Sequence, residues 1–154
     1  MPAKKLKQFL DDRGVKYVSI QHSPAYTASV VARSAHVSGS DFGKTIIVKI
    51  EGEMAMVVLP AHRKIVLSEL RDLLDSYSVE LATESEFIDR FPDCELGAMP
   101  PFGNLYGMKV FLEHRMTRYP EIAFNAGNHC EVIRMSMRDY LLFAEPVVLD
   151  FATV

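Results

Sequence analysis

The chain has 154 residues, 49% of them hydrophobic and 24% charged, with a formal net charge of −3. That composition suits a globular domain with a sizeable core, and the negative balance argues against strong nonspecific nucleic-acid binding by bulk charge. No apolar run approaches the roughly 18 residues of a membrane span. Lys4, Lys5 and Lys7 are not followed by the apolar segment of a signal peptide. Cys94 and Cys130 lack CxxC spacing and read as reduced thiols of a cytosolic protein. One domain over residues 1–154 is expected. Two local groups, Lys4/Lys5/Lys7 and Arg115/Arg118, read as solvated faces or as local basic patches.

Leu6, Phe9 and Leu10, followed by Gly14, predict an amphipathic helix over residues 3–13 stopped by glycine. Val15 to Ile20 has strand propensity, and Thr27 suits the cap of a second short helix through residue 34. His36 to Gly43 is a polar loop. Lys44 to Ile50 reads as a buried strand, Glu51-Gly52-Glu53 as a turn, and Met54 to Leu59 as the return strand of the clearest hairpin in the chain. Ser68 suits a cap for a helix carrying Leu70, Leu73 and Leu74. Val79 to Leu81 is a short strand. Thr83 with Glu86 forms a capping box for a helix ending near Phe91. Lys109 to Leu112, Glu121 to Phe124 and Glu131 to Met135 read as further strands. Ser136 with Asp139 opens a last helix through Phe143, and Val147 to Phe151 returns as an edge strand. About seven strands and five short helices in mixed order fit neither strict βαβ alternation nor a hairpin series. They predict an α/β domain with a mixed sheet curled toward a barrel. The eight methionines are scattered and read as core filler.

The densest local signal is Glu95-Leu96-Gly97-Ala98-Met99-Pro100-Pro101-Phe102-Gly103. Two adjacent prolines fix φ and remove two donors, and the flanking glycines permit angles closed to other residues. The result is a stiff ribbon whose carbonyls can hold an amino group, or a structural turn. Lys44 opens an apolar strand directly after Asp41-Phe42-Gly43. An ammonium there can polarise a carbonyl, neutralise a phosphate or attack as an amine, or it can simply snorkel to water. His129 closes the turn Asn125-Ala126-Gly127-Asn128, where it can carry a proton or bond its own loop. Cys94 lies close to the ribbon and is a weak candidate nucleophile. His22, His36, His62 and His114 have no metal-ligand spacing. The chain has no GxSxG elbow, no GxxxxGK[ST] and no GxGxxG.

Together these pieces resemble the YbaK/prolyl-tRNA-synthetase-associated domain family of trans-acting aminoacyl-tRNA editing proteins, over most of the chain. The residues that carry the resemblance are Val15-Lys16-Tyr17, His22-Ser23-Pro24, Ala32, Gly43-Lys44-Thr45, Val58-Leu59-Pro60-Ala61 and Leu81-Ala82-Thr83. Phe91 to Gly97 then runs into Met99-Pro100-Pro101-Phe102-Gly103, and Ala126-Gly127, His129 and Ile133-Arg134-Met135 close the series. A lysine combined with a Gly-x-x-x-Pro loop is more specific than either part alone.

The resemblance implies a mixed-sheet, barrel-like α/β fold and hydrolysis of the ester that joins a wrong amino acid to the 3′-terminal adenosine of tRNA. It implies that Lys44 stabilises the oxyanion, that the Gly97, Ala98, Met99, Pro100 and Pro101 segment holds the α-amino group, and that His129 orients the adenosine or ester. No cofactor and no metal is implied. Family members directed at alanine usually carry asparagine where this chain has Thr45, whose hydroxyl suits a polar acyl group such as serine or threonine, or strand packing. Tyr26 and Met99 line the pocket or pack in the core. The expected partners are mischarged tRNA and an aminoacyl-tRNA synthetase, in the cytoplasm, with the chain a monomer or homodimer and no membrane involved. The rival reading is a module that binds an amino acid or aminoacyl-adenosine without hydrolysis.

Overall fold

The computed structural model describes residues 4–23 and 40–153. Helix α1, Lys4–Asp12, buries Leu6 and Leu10 one turn apart, and the chain leaves it through Gly14 at φ +65°. Strand β1 follows at Tyr17–Gln21. The expected helix from Thr27 lies outside the described residues. Strands β2, Phe42–Ile50, and β3, Glu53–Pro60, form the expected hairpin. Its two turn residues, Glu51 and Gly52, both take positive φ, as the two-residue turn that matches strand twist requires.

A short strand β4, Lys64–Ile65, precedes helix α2, Leu67–Leu73. Ser68 does not cap that helix. Val66 occupies the cap with no side-chain bond, and Ser68 sits inside the first turn. Strand β5, Val79–Leu81, leads to helix α3, Glu84–Phe87, where Thr83 and Glu86 form the anticipated capping box. Strands β6, Val110–Glu113, β7, Glu121–Asn125, and β8, Glu131–Ser136, come next. Helix α4, Met137–Ala144, starts with the Ser136 hydroxyl accepting the Asp139 N–H.

The expected final strand splits in two. Strand β9, Val147–Leu149, pairs in parallel with β6, whereas β10, Ala152–Thr153, leaves that sheet and pairs with β4. The cause of the break is Glu113, whose buried Oε2 accepts the N–H groups of Phe151 and Ala152 at 2.8 and 2.9 Å.

The main sheet is eight-stranded in the order β1-β8-β7-β2-β3-β6-β9, with β5 also on β2. It is mixed: β2–β7, β3–β6 and β6–β9 are parallel and the other pairs antiparallel. The expected curl does not reach closure, because β1 and β9 each have a neighbour on one side only among the described residues. One face packs Ile47, Met56, Val58, Phe124 and Ile133 against α1, α4 and the ribbon. The other packs Val48, Val57, Leu59 and Phe111 against Leu70 of α2 and Phe151.

Candidate functional site

Strand β2 has β3 along one edge and a divided partner along the other. On that second edge Phe42 and Gly43 pair with Ala123 and Phe124 of β7, and Val48 to Ile50 pair with β5. Between them Lys44 to Ile46 has no strand partner among the described residues on this side. Among the described residues the sheet is thus open beside Lys44, and a ligand at the opening would meet backbone as well as side chains. Strand alternation sends Lys44 to the face of Leu59 and Ile46 and sends Thr45 to the face of Val58 and Ile47. Only at an open edge can one ligand touch both.

The ribbon is held against the turn that follows β7. The Glu95 N–H donates to the Gly127 carbonyl at 2.8 Å, and the Gly127 N–H donates to the Ala98 carbonyl at 2.9 Å. His129, 6% exposed, donates from Nε2 to the Leu96 carbonyl at 2.8 Å. A carbonyl can only accept, so this bond sets the ring's tautomer and leaves Nδ1 the acceptor in the neutral form. Continuing the β2–β7 register by one residue sets Lys44 opposite Asn125, directly before the turn that holds the ribbon.

Counting acceptors shows which ribbon carbonyls remain for a ligand. Ala98 is taken by Gly127, Pro100 by the Phe102 N–H at 2.8 Å, and Pro101 by the Tyr140 hydroxyl at 2.8 Å. Among the described residues the carbonyls of Gly97 and Met99 accept no hydrogen bond. Phe102 anchors the far end of the ribbon, with edge-on contacts to Phe9, Phe124 and Tyr140 at centroid distances of 5.3–5.9 Å. Tyr140 is fully buried, which pushes its hydroxyl's pKa up and keeps it a donor. Tyr140→Phe leaves the Pro101 carbonyl without its donor. It is expected to cost about 1–2 kcal/mol in denaturant unfolding, and unchanged stability would show that the bond contributes nothing.

Burial lowers the Lys44 pKa, and the nearby Lys64 ammonium lowers it further. Cys94 is not poised as a nucleophile: burial raises its thiol to about 11, and its neighbours are the Tyr106 hydroxyl at 3.4 Å and Asp93. Glu113, His114 and Asp150 bring donor atoms within 4.8 Å of one another, but the Arg115 guanidinium already lies 2.9 Å from Glu113 and 3.1 Å from Asp150. A cation there would meet a cation.

Of the residues singled out by sequence, the fold brings Gly97 to Pro101 together with His129 and sets Lys44 on the strand beside that turn. Thr45 is half-buried on β2, Met99 packs in the core, and Tyr26 lies outside the described residues. Asn125 was not anticipated. It is 7% exposed, and its Oδ1 is buried with no hydrogen-bond partner among the described residues. Only the end of β7 beside an open strand edge marks it, and no sequence pattern reveals that.

Residues 22–143 match the family model described as the aminoacyl-tRNA editing domain. The multifunctional Ser/Thr-tRNA deacylase ProXp-y of Escherichia coli K12 is 25% identical over 152 residues, which cover 96% of this chain and 90% of that protein. Two solved structures share the fold. A hypothetical protein superposes with a TM-score of 0.86 at 20% identity, covering 97% of this chain and all of the other. A candidate trans-editing enzyme for prolyl tRNA synthetase superposes with a TM-score of 0.83 at 19% identity, covering 99% and 97%. With the family model spanning most of its length, the chain belongs to the aminoacyl-tRNA editing domain family.

Proposed function

We propose that this editing domain is a trans-acting deacylase that clears serine- or threonine-type esters from mischarged tRNA, with Lys44 stabilising the oxyanion. The observation that carries this reading is the pair of unengaged carbonyls, Gly97 and Met99, on a ribbon tied to the turn beside the open edge at Lys44. Two carbonyls with no donor to them among the described residues suit an α-ammonium group. An ammonium at Lys44 suits the negative charge that grows on the ester oxygen as water attacks. The bond from acyl carbon to ribose oxygen breaks, and the water's proton ends on that oxygen, releasing amino acid and uncharged tRNA. The described residues offer no activated nucleophile, so in this reading their contribution is positioning and charge.

In this reading His129 is a positioning residue that holds the ribbon through Leu96. Thr45 and Met99 bound the acyl side from the core face, and the unsatisfied Oδ1 of Asn125 accepts from a ribose hydroxyl or the attacking water. The polar acyl group is supported by the Thr45 hydroxyl and by the likeness to the Ser/Thr-tRNA deacylase. The reaction belongs in the cytoplasm with translation, and a synthetase is a natural donor of the mischarged product.

The test is hydrolysis of a panel of tRNAs mischarged with serine, threonine, alanine and cysteine, with Lys44→Ala beside the wild type. Rapid wild-type clearance of the serine or threonine ester, lost in the variant, is expected. Equal, slow decay of every ester with both proteins would leave a binding module in its place.

A further inference from the structure

One end of the sheet carries a cationic notch that the ester chemistry above does not use. A cavity of about 60 Å³ is lined by Ser40, Pro60, His62, Arg63, Arg115, Arg118 and Tyr119. These residues come from three places that the sheet topology joins: the entry to β2, the exit from β3, and the segment before β7. Arg115 is already committed to Glu113, Asp150 and the Ala152 carbonyl. Arg63 and Arg118 are not, since among the described residues neither guanidinium makes an ion pair or side-chain hydrogen bond. Two unspent forks of N–H donors around a small cavity form a seat for one tetrahedral anion.

The position of the notch relates it to the ester site. Pro60 pairs directly with Gly43, the residue before Lys44. Lys64, next to Arg63, is close enough to Lys44 to lower its pKa. A rise of about 3.3 Å per strand residue puts the notch within roughly one nucleotide of the Lys44 opening. Tyr119, which lines the same cavity and is 39% exposed, offers a ring for an unpaired base.

We propose that this notch is a phosphate subsite for the single strand that leads to the aminoacyl ester, with Arg63 and Arg118 as its ligands. The inference rests on the deacylase reading, because it is the ester at Lys44 that places a nucleotide strand here. It also reconciles an acidic chain with a polyanionic substrate: recognition is concentrated in two cations at the site instead of being spread over the surface. The salt dependence of tRNA turnover is therefore shallow, and these two residues supply much of it.

The test compares two substrates, mischarged tRNA and the corresponding aminoacyl-adenosine, which lacks the strand phosphates. In the Arg63→Ala/Arg118→Ala double variant, the ratio of kcat/KM on tRNA to kcat/KM on the nucleoside is expected to fall at least about tenfold, mainly through KM. The slope of log(kcat/KM) against log salt on tRNA is expected to flatten by about 1.4, for two contacts at roughly 0.7 each on a single strand. The double lysine variant restores the slope but only part of the ratio, because an ammonium keeps the charge and loses the fork. Arg71→Ala on α2 serves as the charge control. A wild type that cleaves both substrates while the double variant keeps ratio and slope would overturn the subsite and leave the deacylase standing. A wild type that cleaves neither would overturn the deacylase reading itself. Binding of inorganic phosphate at the notch, with tRNA turnover indifferent to both arginines, would make it a free-anion site and also overturn the proposal.

Discussion

Lys44→Met is expected to lower kcat for deacylation about 10²–10³-fold, the usual consequence of removing one preorganised oxyanion partner, without lowering stability. The two halves come from one cause. Burial and Lys64 depress the Lys44 pKa, so the fold pays to keep this ammonium charged. Between the lowered folded value and the unfolded 10.5, the unfolded chain binds more protons than the native one, and stability rises with pH through that window. At neutral pH both states hold the proton, the cost is fully present, and an apolar side chain of similar length removes it. The melting temperature of Lys44→Met is therefore expected to hold or rise by about 1–3 °C, a trade of stability against function. The active form is the ammonium, so enzymatic turnover above the spontaneous rate falls as pH rises through the lowered pKa. Lys64→Ala removes the like charge, raises that pKa and moves the alkaline limb of kcat upward. An unmoved limb, or a Lys44→Met enzyme within tenfold of wild-type kcat, would remove Lys44 from the chemistry.

Signals confined to a few residues were legible in the sequence. The turn at Glu51 and Gly52, the capping box of Thr83 with Glu86, and the Ser136 cap each depend on partners within four residues, and each stands where expected. What depends on distant partners was not legible. The parallel pairs β2–β7, β3–β6 and β6–β9 join segments far apart in the chain, and two-residue strands such as β4 and β10 are too short to show periodicity. The ribbon illustrates the division. Its stiffness follows from Pro100, Pro101 and the glycines beside them. Which of its carbonyls stay open depends on donors from Gly127 and Tyr140, and no local pattern contains those. The same holds for the cations: Arg115 and Arg118 look equivalent in sequence, and only the positions of Glu113 and Asp150 show that one is spent and the other available.

Glu113→Ala is expected to destabilise the protein by about 3–5 kcal/mol, the range for breaking a buried charged network. Glu113 is fully buried at the end of β6. Its Oε2 takes the N–H groups of Phe151 and Ala152, and its Oε1 takes the Arg115 guanidinium at 2.9 Å. Removing the carboxylate strands two backbone donors at about 1–3 kcal/mol each. Arg115 retains Asp150 and the Ala152 carbonyl, which holds the loss toward the lower end. At about 2–4 °C per kcal/mol for a domain of this size, the melting temperature should fall by about 6–12 °C. Glu113→Gln keeps one acceptor oxygen for the two N–H groups and turns an amide toward Arg115, so it should lose about half as much. The damage is also directional. Phe151 and Ala152 lead into β10, β10 pairs with β4, and β4 begins at Lys64 beside Arg63. Loosening the C-terminal strand therefore loosens one wall of the phosphate notch, and the KM for tRNA should rise more than the KM for aminoacyl-adenosine. Hydrogen exchange reads the local step directly, through lost protection of the Phe151 and Ala152 amides. A variant that melts within about 2 °C of wild type with both amides still protected would mean that the carboxylate is not what turns the chain from β9 into β10.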